Sequence, residues 1–184
     1  MEHSSFSIDE QPYASLFKIY DHEFLSISIS KGLIDISNLS IAGDGMPVTT
    51  SARERKHRIC KCSKSGITSC HCDCYFSQPD CDIGYDSSRE CFYHGYHLYI
   101  LVAANSESDL PLFPLFNPAS KHDSHGFLEA YFRFKAFLPD FHVRKWLLDS
   151  AHDAMSYYLY CRKNDIQPFI DLNEKRGISK KYKD

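Results

Sequence analysis

Six cysteines lie within one short stretch, "CKCSKSGITSCHCDCYFSQPDC", which runs from residue 60 to residue 81. Thiolates are ligands for Zn²⁺, and a bound metal stabilises a short polar segment that has few apolar residues to bury. The sequence therefore predicts a structural zinc site, with reduced or incidentally oxidised thiols as the alternative. The candidate ligands are Cys60, Cys62, Cys70, Cys72, Cys74 and Cys81, with His57, His71 and Cys91 in reserve.

The spacing of these cysteines indicates a metal without selecting four particular ligands. C-x-C is tighter than the C-x₂-C of most zinc knuckles. A catalytic thiol is a poorer interpretation, because nucleophilic cysteines occur singly beside an orienting base. Cys161 stands apart from the cluster and is predicted to be a buried helix residue.

Two aspartates, Asp44 and Asp149, each end a predicted strand, where open α/β sheets place their ligands. Carboxylates brought together repel unless a cation neutralises them, and their hard oxygens suit Mg²⁺ or Mn²⁺. Two such ions about 4 Å apart could activate water or a 3′-hydroxyl for attack on a phosphodiester. The alternatives are a hairpin turn at Asp44-Gly45 and a helix cap at Asp149.

Two further groups of polar residues have both a functional and a plain structural interpretation. A basic run follows Asp44 and either contacts nucleic-acid phosphates or forms a solvated loop. Its members are Arg53, Arg55, Lys56, His57 and Arg58. His122, Asp123 and His125 resemble a metal cluster, but they precede a predicted helix, which favours turn and capping roles.

The elements that position these residues alternate between strands and helices. A helix is predicted within residues 10–33. A first strand is predicted in "NLSIAGDGMPV" and ends at Asp44-Gly45. Residues 51–90 show neither helical nor strand periodicity and are interpreted as an insertion. The elements that follow are the strands "CFYHGYHLYILVAAN" and "LPLFPLFNPA", the helix "SHGFLEAYFRFKAFL", the strand "VRKWLLDS", the helix "HDAMSYYLYCRKN" and the strand "QPFIDLN". Ser124 is the predicted N-cap of the first of these helices, and the prolines of "LPLFPLFNPA" favour an edge or bent strand. This order predicts an α/β fold with a partly parallel sheet.

Length and composition fit one globular domain. The chain has 184 residues, of which 43% are hydrophobic and 14% aromatic. Its formal net charge of -3 gives no overall attraction to nucleic acid, so any such contact must be local. The first residues lack a secretory signal, and the apolar run from Leu98 to Ala104 is shorter than the roughly 20 residues of a membrane helix. We therefore expect a soluble cytoplasmic protein, in which thiols stay reduced.

Four stretches resemble, in consistent order, the catalytic domain of bacterial insertion-sequence transposases of the DDE type. They are "IAGDGMPVTTSARER", "YFSQPDCDIGYDSSRECFYHGYHLYIL", "LPLFPLFNPASKHDSHGF" and "LLDSAHDAMSYYLYCRKNDIQPFIDLN". The resemblance runs from about Leu39 to Asn173. It implies a ribonuclease-H-like fold, a mixed five-stranded sheet whose first three strands are antiparallel, with the cysteine-rich insertion between strands one and two.

The resemblance also implies the roles of individual residues. Asp44 matches the first catalytic, metal-binding aspartate of the family and Asp149 the second. The third acid, a Glu on a later helix, has no match, and Glu174 lacks a surrounding amphipathic helix. We therefore expect a fragment, with residues 1–38 as an N-terminal helical segment, residues 39–184 as a truncated catalytic domain, and little activity in isolation.

Three functions follow as hypotheses. In the first, the intact parent is a transposase that cuts DNA at transposon ends and joins it to target DNA through Mg²⁺ or Mn²⁺, working as a homo-oligomer without a membrane. The second is a non-catalytic, zinc-stabilised nucleic-acid-binding module, in which the aspartates are structural. The third is a ribonuclease-H-like nuclease of another specificity.

Overall fold

The computed structural model describes residues 14–50, 57–58, 60–67, 69–72, 74–75 and 80–173. Within them the chain forms an α/β fold with a mixed six-stranded sheet and a separate two-stranded sheet. The strands are β1 (Leu39–Thr49), β2 (His57–Arg58), β3 (Cys74–Tyr75), β4 (Asp82–Asp86), β5 (Cys91–Ala103), β6 (Leu110–Pro118), β7 (Val143–Leu148) and β8 (Gln167–Ile170). The helices are α1 (Ala14–Tyr20), α2 (Ser26–Ser30), α3 (Asp123–Phe137) and α4 (Met155–Lys163), and a wide π-helical turn at Asp21–Leu25 joins α1 to α2.

The large sheet has the order β4-β5-β1-β7-β8, and β6 also pairs with β5. Strands β1, β7 and β8 are parallel, whereas β4 is antiparallel to β5. Backbone hydrogen bonds from Ala104 to Ser40 and from Thr50 to His94 show that β1 and β5 are antiparallel. This arrangement is compatible with a ribonuclease-H-like sheet, and β6 pairs only with β5 among the described strands, which fits the edge alternative of the two that its prolines favoured.

The described residues divide into two compact units. The first contains the residues up to Asp44, Tyr99–Pro114 and the residues from Asp123 onward, and the second contains Gly45–Leu98 and Leu115–His122. None of the helices in the described part of the chain combines the length and apolarity needed to cross a lipid bilayer.

The core of the first unit is aromatic. The Trp146 side chain of β7 is fully buried, and its ring centroid lies 4.8 Å from those of Phe127 and Tyr131 on α3. Both contacts are edge-on, the geometry that aromatic quadrupoles favour. Burial of such rings holds α3 and α4 against the sheet at about 1.5–3 kcal/mol for each large side chain.

The N-terminal helix predicted within residues 10–33 is present from Ala14 to Ser30. It includes the "SISIS" segment, although its alternation resembles a strand. Leu25 and Ser28 are both buried at helical spacing, so tertiary packing favours the helix there. It ends before Gly32, whose φ of 71° is the left-handed conformation typical of helix ends.

Three details of the sequence prediction were wrong. The first strand does not end in a turn at Asp44-Gly45 but continues to Thr49, because β5 supplies backbone partners along it. Helix α3 begins one residue before the predicted cap, Ser124. Residues 51–90 include a regular strand, β4. Its buried positions are Gly84 and Asp86, and its apolar side chains face solvent. The sequence therefore lacks the alternation of buried apolar and exposed polar residues that predicts a strand.

Replacing the buried tryptophan should test this account of the core. Trp146→Ala is expected to lower the free energy of unfolding by about 3–5 kcal/mol, because it leaves a cavity among packed rings. The neighbouring Leu147 is 38% exposed, so Leu147→Ala should cost less than half as much. Urea denaturation followed by far-ultraviolet circular dichroism measures both, and equal losses would contradict the assigned orientation of β7.

Candidate functional site

The parallel register of β1 and β7 places Asp44 and Asp149 level with each other. Ala42 is paired with Leu147 on the neighbouring strand, and two residues farther along each chain come the two aspartates. Adjacent strands lie about 4.8 Å apart, so the two backbones approach closely at this point. Both aspartates are exposed, and both belong to the first unit. The end of β7, beside Asp44 of β1, is therefore an acidic strand end formed by two residues more than a hundred apart in sequence.

Asp149 also fulfils its capping interpretation. It is the N-cap of a 3₁₀ turn, Ser150–His152, and its Oδ1 accepts a hydrogen bond from the Ala151 backbone N–H at 3.1 Å. The same oxygen lies 2.6 Å from Nδ1 of His152. Among the described residues, Oδ2 of Asp149 accepts no hydrogen bond. One oxygen is held by the protein, and the other is available to a ligand.

A buried tyrosine lies behind this strand end. The Tyr99 side chain is 1% exposed, and its hydroxyl is 2.9 Å from Nε2 of His152. A Cβ at Gly43 would come within 2.8 Å of the Tyr99 ring and hydroxyl, and a Cβ at Gly126 within 3.0 Å of the ring. The Tyr99 ring can therefore occupy this position only because residues 43 and 126 are glycines.

Acidic groups surround the Tyr99 hydroxyl. Burial raises the pKa of this phenol well above its ordinary range, and nearby groups raise it further. These groups are, in decreasing order, Asp123, Tyr157, Asp44 and Asp149. Asp44 and Asp149 thus both influence this one buried hydroxyl. Asp123, at the start of α3, influences it as well.

The second unit contains a cluster of four thiols. The sulfur atoms of Cys60, Cys62, Cys70 and Cys72 all lie within 4.8 Å of one another. The sulfur atoms of Cys60 and Cys70 lie 3.4 Å apart, and those of Cys62 and Cys72 lie 3.7 Å apart. A 3₁₀ turn, Cys62–Ser65, reverses the chain between the two C-x-C pairs and ends at Gly66, whose φ is 76°. Four close cysteines of this kind could bind a metal such as zinc.

The thiols of the cluster influence one another strongly. The backbone hydrogen bond of Cys62, followed by the Cys70 thiol, lowers the pKa of Cys60 to about 7. The hydrogen bond with Cys62 raises the pKa of Cys72 to about 12. Without a cation, one thiolate therefore forms readily and suppresses the ionisation of its neighbours. A bound Zn²⁺ would stabilise the thiolate form of each ligand and offset part of the repulsion between them.

The other predicted site residues lie elsewhere or outside the described part of the chain. Cys81 is buried, Cys91 is exposed, and Cys161 is fully buried on α4 as predicted. Outside the described side chains are Arg53, Arg55, Lys56, Arg58, His57, Cys74 and Glu174. The sequence-based search for site residues did not find Tyr99 or His152. The spacing of His152 three residues after Asp149 was a local signal, whereas nothing in the sequence linked either residue to Tyr99.

Comparison of the chain with protein-family models, with curated proteins and with solved structures finds no match. The function must therefore be argued from the geometry of these two clusters and from the sequence.

The environment of Tyr99 predicts a pH dependence of stability. The pKa of Tyr99 is raised in the folded state, so the phenol ionises first in the unfolded chain. Its contribution to the free energy of unfolding is therefore complete below the unfolded pKa of about 10 and is lost as the pH rises above that value. By pH 11 the loss should be about 1.4 kcal/mol. Between pH 9 and pH 11, the free energy of unfolding measured by urea denaturation should therefore fall by about 1.4 kcal/mol less in Tyr99→Phe than in the wild type. Tyr85→Phe, which removes an exposed phenol, is the control, and a variant at position 99 that behaves like it would contradict the assignment.

Proposed function

We propose that this chain is the catalytic region of a DDE-type transposase with a ribonuclease-H-like fold, in which Asp44 and Asp149 bind a divalent cation. The observation that supports it most directly is the parallel register of β1 and β7, in which Ala42 pairs with Leu147, two residues before Asp44 and Asp149. The sheet order β4-β5-β1-β7-β8, with β6 also paired to β5 and with β1 antiparallel to β5, is compatible with the fold that the sequence resemblance implies.

The residues present fit Mg²⁺ or Mn²⁺. Both aspartates are exposed carboxylates, and hard cations of this kind use one or two carboxylates together with water and phosphate oxygens. A bound ion would supply positive charge to the phosphodiester and to the attacking oxygen. The chain's own contribution is to hold the two acids level and to keep Oδ1 of Asp149 in fixed hydrogen bonds.

The proposed substrate is DNA, at transposon ends and at a target, handled by a homo-oligomer of the intact protein. Described lysines next to the thiol cluster, Lys61 and Lys64, are exposed and could contact phosphates without reading bases. Arg53, Arg55, Lys56 and Arg58, whose side chains lie outside the described residues, are the further phosphate-contact candidates from the sequence. Such contacts give affinity that falls steeply with salt.

Divalent-metal binding is the first test, because two carboxylates suffice for a weak site whereas strand transfer requires a complete ligand set. We expect the full chain to bind Mn²⁺, and either Asp44→Asn or Asp149→Asn to weaken binding at least tenfold. Electron paramagnetic resonance of free Mn²⁺ during titration measures the affinity. Asp140→Asn, an exposed acid elsewhere in the first unit, is the control. Wild-type affinity in both site variants would refute the proposal.

We propose Zn²⁺ as the ion of the thiol cluster. A Zn–S bond of about 2.3 Å in tetrahedral geometry places neighbouring sulfurs about 3.8 Å apart, and the Cys60–Cys70 and Cys62–Cys72 pairs lie at 3.4 and 3.7 Å. The role is structural, because four thiolates fill the coordination shell and leave no position for a substrate.

The zinc assignment predicts a stoichiometry and a set of ligands. Purified protein should carry about one zinc per chain, since four thiolates complete a structural site. Cys62→Ser or Cys72→Ser should abolish this retention, whereas Cys91→Ser should leave it intact, because Cys91 lies outside the cluster. Elemental analysis after dialysis decides the matter. Folded metal-free protein, or zinc retained in the two cluster variants, would reject the assignment.

The second candidate function is a non-catalytic, zinc-stabilised nucleic-acid-binding module, which the four-thiol cluster favours. The two functions differ in which residues DNA binding and metal binding require. In the binding module, removal of zinc abolishes DNA binding and the aspartates bind no cation. In the transposase, Asp44→Asn weakens Mn²⁺ binding and leaves the zinc content unchanged.

A further inference from the structure

A chain of hydrogen bonds runs from the core of the first unit to Asp149. The Tyr99 hydroxyl lies 2.9 Å from Nε2 of His152, and Nδ1 of the same ring lies 2.6 Å from Oδ1 of Asp149. Tyr99 and His152 are each 1% exposed, whereas the Asp149 side chain is 58% exposed. The chain therefore connects two buried groups to a carboxylate at the surface.

When the imidazole is neutral, the donors and acceptors of these three groups can pair in one way. An ionised carboxylate can only accept, so Nδ1 of His152 donates to Asp149. Nε2 of the neutral imidazole then accepts, and the Tyr99 hydroxyl donates to it. The phenol retains its proton, because burial and the surrounding carboxylates raise its pKa. One tautomer thus gives each of the two hydrogen bonds of the chain a donor and an acceptor.

Packing holds the His152 ring in the orientation that this chain requires. Its centroid lies 5.6 Å from that of Phe127 and 5.7 Å from that of Tyr157, both at steep angles. Its backbone closes the 3₁₀ turn that Asp149 caps, with its N–H donating to the Asp149 carbonyl at 3.1 Å. A ring fixed by side chains and backbone cannot turn away from the carboxylate without disturbing the core.

We infer that His152 is a positioning residue: with Tyr99 behind it, it fixes the Asp149 carboxylate so that Oδ2 is presented to the cation. This inference rests on the proposed function. Oδ1 receives two donors, from His152 and Ala151, and among the described residues Oδ2 receives none. Partners behind a metal-binding carboxylate restrict its rotation, and their loss typically weakens metal affinity 10- to 100-fold.

The test compares side chains that keep or remove the donor. In His152→Asn the amide nitrogen takes the place of Nδ1, so the bond to Asp149 is retained and the bond to Tyr99 is lost. His152→Ala loses both. We expect His152→Ala to weaken Mn²⁺ binding about 10- to 100-fold and His152→Asn to recover most of that loss. His142→Ala, at an exposed histidine of the same unit, is the control and should bind as the wild type does.

A second measurement needs no metal and uses only the wild type and Tyr99→Phe. Long-range ¹⁵N–¹H spectra should show His152 protonated at Nδ1 and not at Nε2, and Tyr99→Phe should shift the Nε2 resonance. If His152→Ala fails to fold, this spectrum and the affinity of His152→Asn still test the inference.

The outcomes separate the inference from the proposed function. A wild type that binds no Mn²⁺ contradicts the proposed function. Mn²⁺ binding that His152→Ala leaves unchanged, or that His152→Asn weakens as much as His152→Ala, overturns only the role of His152. A proton on Nε2 in the absence of metal overturns it as well.

Discussion

The parallel pairing of β1 with β7 is the constraint on which the candidate site depends. Register in a parallel pair is set by the residues that the sheet buries, here Ile41 opposite Trp146, both fully buried. Once that pair is in place, Asp44 and Asp149 must lie level at the same point of the sheet. Carboxylates brought close together repel, and hydrogen-bond donors or a cation offset the repulsion.

The protein itself supplies hydrogen-bond donors to one of these carboxylates. The His152 and Ala151 donors stabilise one oxygen of Asp149, and His152 is in turn held by Tyr99. This arrangement brings polar groups into an aromatic core, where each would destabilise the fold if it lacked a partner. Gly43 and Gly126 leave the space in which the Tyr99 ring reaches His152. Hydrogen bonds from Tyr99 through His152 thus link the core of the first unit to Asp149 at the acidic strand end.

The thiol cluster follows a different chemical rule. Cysteine sulfur is a soft ligand that selects zinc, whereas carboxylate oxygen selects Mg²⁺ or Mn²⁺, so the two clusters would not compete for an ion. The cluster is also local: its four cysteines lie within 13 residues of sequence, between β1 and β5. A short turn is enough to bring the four thiols together, whereas Asp44 and Asp149 are brought together only by the pairing of β1 with β7 in the sheet.

The sequence by itself determined the α/β class, the order of the long strands and helices and the candidacy of the cysteines, because periodicity and C-x-C spacing act locally. It left open which cysteines come together, and it missed β4, whose inward positions are Gly84 and Asp86. Only the tertiary structure decided that Cys81 lies outside the cluster, that β1 extends past Asp44, and that Tyr99 reaches Asp149 through His152. These features arise from contacts between residues distant in sequence, and such contacts are set by strand register and packing, which no local pattern encodes.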